Sequence, residues 1–449
     1  MNINIRRAIA LTFIIAFLVT APLLIFYTAG YRYNFKKAQV QKTGTLIVKT
    51  TPRSALVSLN GKSFEATTPL RENNILPDEY DIEITKSGYY PWQKRLSIRP
   101  QETTFIEDVV LFPQSQAEKI TDYSISHLSF SPRGNYALFV TEDLNQTFLY
   151  LLNLNNFRSK LIINDDRPWE KIKIDWAADD SKALIDIDNM LLVVTTIFPQ
   201  QKIKLANYFP EISDSDTKLK WDDKDSNLLY WQNKNIVYEL NLISLINSQV
   251  YNGQNQIIND FLIRNDEVYL LEKINDKIFM TKQSRTNNKK LAAIELRELD
   301  YQFNGFIQGY ISLISQDYKT VFLVNNTLDK IVFNKENIQS TELSEVNNFL
   351  SLITPQEASF LDLDDNELRE QNITRYSNGL MKSQWSRASS NYIFTLQNGK
   401  ISVLELDSRD KRFSLEFPVS QVKDFTINAN DEALIFWQED YLYQLPISK

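Results

Sequence analysis

Apolar residues follow two different patterns along this chain. The first is a continuous run, "AIALTFIIAFLVTAPLLIFYTAGY" from Ala8 to Tyr31, with 24 residues and no charge. A helix rises about 1.5 Å per residue, so this run can cross a hydrocarbon layer of about 30 Å. The second pattern begins near residue 44. Apolar and polar positions alternate in short runs, broken by Asn, Asp, Gly and Pro, as in strands that cover one face. No helical period of comparable length returns after residue 31. The pattern predicts an all-β protein after one N-terminal transmembrane helix.

Between residues 44 and 113 the alternation is dense enough to assign faces. "SALVSLNGK" puts Ala55, Val57 and Leu59 on one side and closes on Asn60-Gly61, a strong signal for a tight hairpin. "EYDIEIT" puts Tyr80, Ile82 and Ile84 on one side against Asp81, Glu83 and Thr85. With "GTLIVKTTP", "WQKRLSIRP" and "TTFIEDVVLFP" these runs predict about six strands in a small antiparallel β domain. "GYYPW" then raises a question of role. Tyr89, Tyr90 and Trp92 could form an exposed contact patch for a glycan or protein, or they could fill the core of a domain this small.

The succession "GTLIVKTTP", "ALVSLNGK", "TPL", "LPDEYDIEI" and "KSGYYPW" resembles the PEGA domain over about 68 residues. Arg53-Ser54 and Asp78 depart from the family's preferred small residues, and Asp tolerates turn conformations. The resemblance implies a small β-sandwich of the kind found in bacterial and archaeal envelope or surface-layer proteins. Such a domain serves as an interaction or spacer module and carries no catalytic machinery.

From residue 119 the chain repeats itself. "FSPRGNYALF" from Phe130, "WAADDSKALI" from Trp176 and "WDDKDSNLLY" from Trp221 align without gaps: an aromatic, a polar turn, an apolar strand. Further copies start at Leu262, Ile314, Trp385 and Ile427, with a weaker one at Ile353. The spacings are 46, 45, 41, 52, 39, 32 and 42 residues. A β pattern with that period is the mark of propeller blades. Residues 119–449 are therefore expected to form a propeller of seven or eight blades, closed by pairing "EKITDY" with the final "DYLYQLPIS". The first copy, with its Ser-Pro-Arg-Gly-Asn turn, is similar to TolB-like and WD-repeat blades. Phe130, Trp176, Trp221 and Trp385 share one repeat position, which predicts packing between blades.

Charge and composition narrow the function classes. Residues 1–44 hold Arg6, Arg7, Arg32, Lys36, Lys37 and Lys42 and no acid, leaving 43 basic and 56 acidic residues beyond them. A balance of −13 repels phosphate backbones, so nucleic acid is not an expected partner. The organisation read from the chain is a tail at 1–7, a membrane span at 8–31, a basic stalk at 32–43, the PEGA-like sandwich at 44–113 and the propeller at 119–449. The expected location is the cell membrane, crossed once as a signal anchor, with the bulk of the chain outside the cytoplasm. A cleaved signal peptide is the rival reading of the same run. Positive-inside counting, with four basic residues after the span and two before it, favours the opposite orientation.

There is no Cys and one His, His127, which leaves thiol catalysis, disulfides and zinc sites without their residues. A lone His beside a strand reads as structural. The acidic runs at 214–216, 222–225 and 362–365 lack calcium-loop spacing and read as turns. No catalytic, cofactor or metal residues are nominated. The expectation is a non-enzymatic envelope protein whose propeller binds an envelope protein or cell-wall glycan. The alternatives are a carboxylate-based glycan lyase or hydrolase, and a sensor ectodomain.

Overall fold

The computed structural model describes residues 3–35, 38–213, 217–253, 256–297, 300–315, 319–344 and 346–448. Lys36, Lys37 and the acidic run 214–216 lie outside the described residues. The chain divides into two compact units. One comprises residues 1–115, Glu405–Ser414 and 447–449, and the other comprises Gln116–Leu404 and Leu415–Pro446.

The first unit opens with helix α1 (Ile3–Thr28). Its window Ile5–Thr28 is long and apolar enough to cross a membrane and is unburied. The helix starts before the expected residue 8, because Arg6 and Arg7 are good helix formers at a helix end. It stops at Thr28, where Arg32 Nη1 takes two backbone carbonyls, those of Tyr27 at 2.7 Å and Tyr31 at 2.8 Å. The expected stalk at 32–43 is instead a hairpin. Strand β1 (Tyr31–Asn34) pairs antiparallel with β2 (Gln39–Lys42). Four-residue strands fall below what a periodicity count detects.

Seven strands, rather than about six, follow: β3 (Gly44–Thr51), β4 (Leu56–Leu59), β5 (Lys62–Thr67), β6 (Leu70–Ile75), β7 (Asp78–Thr85), β8 (Trp92–Ile98) and β9 (Thr103–Val110). They form two sheets, ordered β6-β3-β9 and β5-β4-β7-β8. The pairing of β3 with β9 is parallel, which corrects the antiparallel expectation. A period of two sets which face a residue occupies and says nothing about strand direction. The faces fall as expected: Ala55, Val57, Leu59, Ile82 and Ile84 are buried in one cluster, with Tyr80 packed against it. Asn60 (φ 49°) and Gly61 (φ 77°) supply the two left-handed residues of the β4-β5 turn.

The second unit is built from eight four-stranded antiparallel sheets, spanning residues 127–165, 172–204, 218–252, 257–296, 301–335, 340–375, 380–416 and 422–446. We number them blades 1 to 8. The last is completed by Glu118–Lys119, which pairs with Gln444 and Tyr443 and joins the two ends of the repeat array as expected. Shared apolar clusters link blades 1 through 6 in succession and blade 8 to blade 1. Phe360 packs edge-on against Trp385 between blades 6 and 7. Lys382 Nζ lies 2.8 Å from Asp424 Oδ1 between blades 7 and 8. The cycle closes, and the fold is an eight-bladed propeller.

The first strands of the blades start at His127, Ile172, Lys218, Ile257, Tyr301, Ser340, Leu380 and Val422, 39 to 46 residues apart. Two sequence copies were therefore out of register. Ile314 lies in the second strand of blade 5, just before its turn into the third, and Ile353 ends the second strand of blade 6. Every tight β turn presents an apolar strand, a polar turn and another apolar strand, so a middle hairpin imitates the first one.

Candidate functional site

Contacts between the first strands Ile257–Arg264 and Tyr301–Ile307, and between Ser340–Leu343 and Leu380–Trp385, put the first strands on the inner side of the ring. Side chains on such a strand alternate between the preceding and following blade. The repeat aromatics face backward. Trp176 Nε1 donates to Ser129 Oγ at 3.1 Å, Trp221 Nε1 to the Asp175 carbonyl at 3.2 Å and Trp385 Nε1 to the Glu342 carbonyl at 3.1 Å. Each partner belongs to the first strand of the preceding blade. Phe130 is half-buried and packs in the cluster shared by blades 8 and 1.

Residues one and three places before the aromatic face forward. Lys218 Nζ donates to the Asn259 carbonyl of blade 4, and Lys382 Nζ to the Phe425 carbonyl of blade 8 at 2.8 Å. His127, Lys173, Lys218 and Lys382 each stand three residues before Phe130, Trp176, Trp221 and Trp385. That recurrence is in the sequence, and an alignment centred on the aromatics passes over it.

Blades 2 to 5 enclose a cavity of about 370 Å³ on this inner side. Its cations are Lys171, Lys173, Lys218 and Lys220, and its acids are Asp175, Asp186 and Asp260. Asp260 is 1% exposed. Its Oδ2 takes Lys220 Nζ at 2.8 Å and the Phe303 backbone N–H at 2.7 Å, while its Oδ1 has no partner among the described residues. Asp186 Oδ1 is likewise buried without a partner among the described residues. Burial lowers the Lys220 pKa against the pull of Asp260, and burial raises the Asp175 pKa against the pull of Lys173 and Lys220. The cavity thus presents both positive charge and unused acceptors in a partly desolvated setting.

His127 lines a neighbouring cavity with Glu142, Trp169, Glu170 and Lys171. Burial lowers its pKa, which favours the neutral imidazole. Two acidic runs act as turn caps. Asp222 Oδ1 accepts the backbone N–H groups of Lys224 and Asp225 at 2.8 Å each. Asp362 Oδ1 accepts that of Asp364 at 3.0 Å. Among the described residues no group of three or more His, Asp or Glu side chains is placed to hold a metal ion.

In the first unit the "GYYPW" residues divide. Trp92 is fully buried, and its Nε1 donates to Glu405 Oε2 at 3.3 Å. Tyr89 packs against the apolar cluster and its backbone bridges to Pro113. Tyr90 is half-buried, and its backbone N–H donates to the Phe112 carbonyl at 2.9 Å. Glu405 is also salt-bridged to Lys94 at 2.9 Å, and Lys94 to Asp407 at 3.2 Å. No periodic signal connects Lys94 to residues more than 300 positions away, so this cluster escapes a reading of the sequence alone.

Residues 43–110 match the PEGA domain. No curated relative matches the chain by sequence. Solved structures similar to the chain include the Dos1 propeller, at 11% identity and a TM-score of 0.48, covering 74% of this chain and 95% of that one. The computationally designed Ika8 protein is similar at 10% identity and a TM-score of 0.47, with 73% and 97% covered. The WD40 domain of SCAP from fission yeast is similar at 10% identity and a TM-score of 0.44, with 75% and 98% covered.

Proposed function

We propose that this protein is a non-catalytic binding protein of the cell envelope, held by α1 as a signal anchor. Its propeller is the ligand platform, and the PEGA region is the spacer module that intervenes in the chain. The observation that carries the reading is the cavity on the inner side of the ring, lined from four successive blades, three of which contribute charged side chains. Propeller platforms bind at such positions because each blade can vary its loops and edge residues independently.

Two measurements test it. Protease added to intact cells should remove the propeller while leaving a short membrane-bound fragment; protection until lysis defeats the exported arrangement. The detergent-purified chain should co-sediment with isolated envelope fragments, and failure to do so defeats the platform.

One observation favours a second reading, carboxylate chemistry on a glycan. Asp175, Asp186 and Asp260 reach the same cavity, and burial biases Asp175 toward its protonated form. Under this reading the purified chain releases reducing ends from envelope glycan, and Asp175→Asn stops the release.

A further inference from the structure

The platform reading leaves the ligand open, and the inference here rests on that reading. We infer that the cavity between blades 2 and 5 takes an acidic saccharide: a sugar carrying a carboxylate as well as free hydroxyl groups.

The positive side of the cavity is in excess of what its own acids neutralise by contact. Among the described residues, Lys220 alone of the four lysines is salt-bridged, to Asp260. Lys218 Nζ donates one hydrogen bond to a neutral carbonyl, that of Asn259. Lys171 and Lys173 are exposed, with no hydrogen bond or ion pair of their Nζ groups among the described residues. This occurs in a chain of net charge −7, so the cluster runs against the average field and concentrates anions locally.

A bare anion would satisfy only half of the lining. Among the described residues Asp260 Oδ1 and Asp186 Oδ1 are buried acceptors without a donor, and such atoms cost free energy until a donor arrives. Inorganic phosphate keeps one or two protons near pH 7 but has no apolar face, and a carboxylate has no proton to give them. A hydroxylated ring does, and the apolar surface of Leu184, Leu191 and Phe303 in the same lining offers its C–H face a place to rest. About 370 Å³ suits one or two sugar rings.

The test is calorimetric titration of the full chain in detergent with glucuronate, a glucuronate-containing oligosaccharide, glucose and inorganic phosphate. Glucuronate should bind at least about tenfold more tightly than glucose or phosphate, since one charge-assisted contact and one donor to a buried carboxylate separate them. Binding should weaken with added salt. The double variant Lys171→Glu/Lys173→Glu, at two exposed positions, should abolish it while the thermal transition stays in place. A stronger signal from the oligosaccharide points to a polymer end as the source, and equal signals point to a free sugar acid. Phosphate binding as well as glucuronate, or glucose binding as well as glucuronate, overturns the inference. If no saccharide binds a protein that still co-sediments with envelope fragments, the ligand class falls and the platform stands.

Discussion

Ser131 Oγ of blade 1 donates to Asp180 Oδ2 of blade 2 at 2.7 Å, and the carboxylate also gathers the backbone N–H groups of Arg133 and Asn135 at 2.9 and 3.2 Å. Asp180 stands four residues after Trp176 with φ at 62°. Asp431 stands four residues after Ile427 with φ at 58°, and takes Ser386 Oγ and the Ala388 N–H of blade 7 in the same way. Gly134 occupies that repeat position in blade 1, with φ at 69° and its carbonyl accepting from Ala429 N of blade 8. In blades 1, 2 and 8 the left-handed residue of this turn is a point of contact with the preceding blade.

Asp180 should therefore be worth more than an average turn residue. Asp180→Ala removes the acceptor for four donors and replaces a residue type that tolerates the left-handed region with one that tolerates it less well, for a combined loss of about 3 kcal/mol. Asp180→Gly loses the same acceptor but relieves the backbone, and should be about 1 kcal/mol less harmful. Denaturant titration of both variants checks the ordering. Equal losses would mean that the backbone conformation contributes nothing.

The same position shows what was legible in the sequence. The repeat was visible because Trp176, Trp221 and Trp385 recur with a polar turn behind them, and each does contact the preceding blade. The hairpin faces around Asn60-Gly61 were legible because alternation and turn chemistry agree there. The cavity was not. It needs Lys173, Lys220 and Asp260 from three blades, and closeness between them is set by the closure of the ring rather than by any local spacing. Direction was invisible for the same reason, as in the parallel pairing of β3 with β9.

Trp176 gives a prediction that separates packing from hydrogen bonding. Trp176→Phe keeps an aromatic ring in the blade 1–2 cluster but loses the donor to Ser129 Oγ. Combined with Ser129→Ala in a double-mutant cycle, the coupling should be about 1 kcal/mol. A coupling near zero in thermal unfolding would mean that the ring alone holds the junction.

The Lys94 cluster should respond steeply to loss of its cation. Lys94 and Glu405 side chains are 0% and 2% exposed, and burying a pair so fully leaves either partner costly once alone. Lys94→Met should destabilise by about 3–5 kcal/mol, and adding Glu405→Gln should recover part of that. The recovery, read by urea titration, is the informative quantity. If Glu405→Gln adds to the damage instead, the ion pair is not the source of the loss.

Asp407 supplies a pH dependence with a definite sign. Burial by itself would raise its pKa, but the side-chain and backbone hydrogen bonds of Arg409, together with Lys94, hold it down at about 2 against an ordinary 3.8. A carboxyl whose folded pKa is depressed contributes stability that is fully present above the unfolded value and is lost as pH falls toward the folded one. The window is therefore from about pH 4 down to about pH 2. Glu405 works the other way: burial raises its pKa despite Lys94, so its contribution improves as pH falls and it takes up a proton. The two can be separated because their windows lie on opposite sides of the unfolded carboxyl values. Asp407→Asn should lower the melting temperature at pH 6, and the difference from the parent chain should shrink from pH 4 downward and vanish near pH 2. A difference that persists unchanged at pH 2 would show that the Asn is disturbing packing and that the charge of Asp407 is not what stabilises the unit.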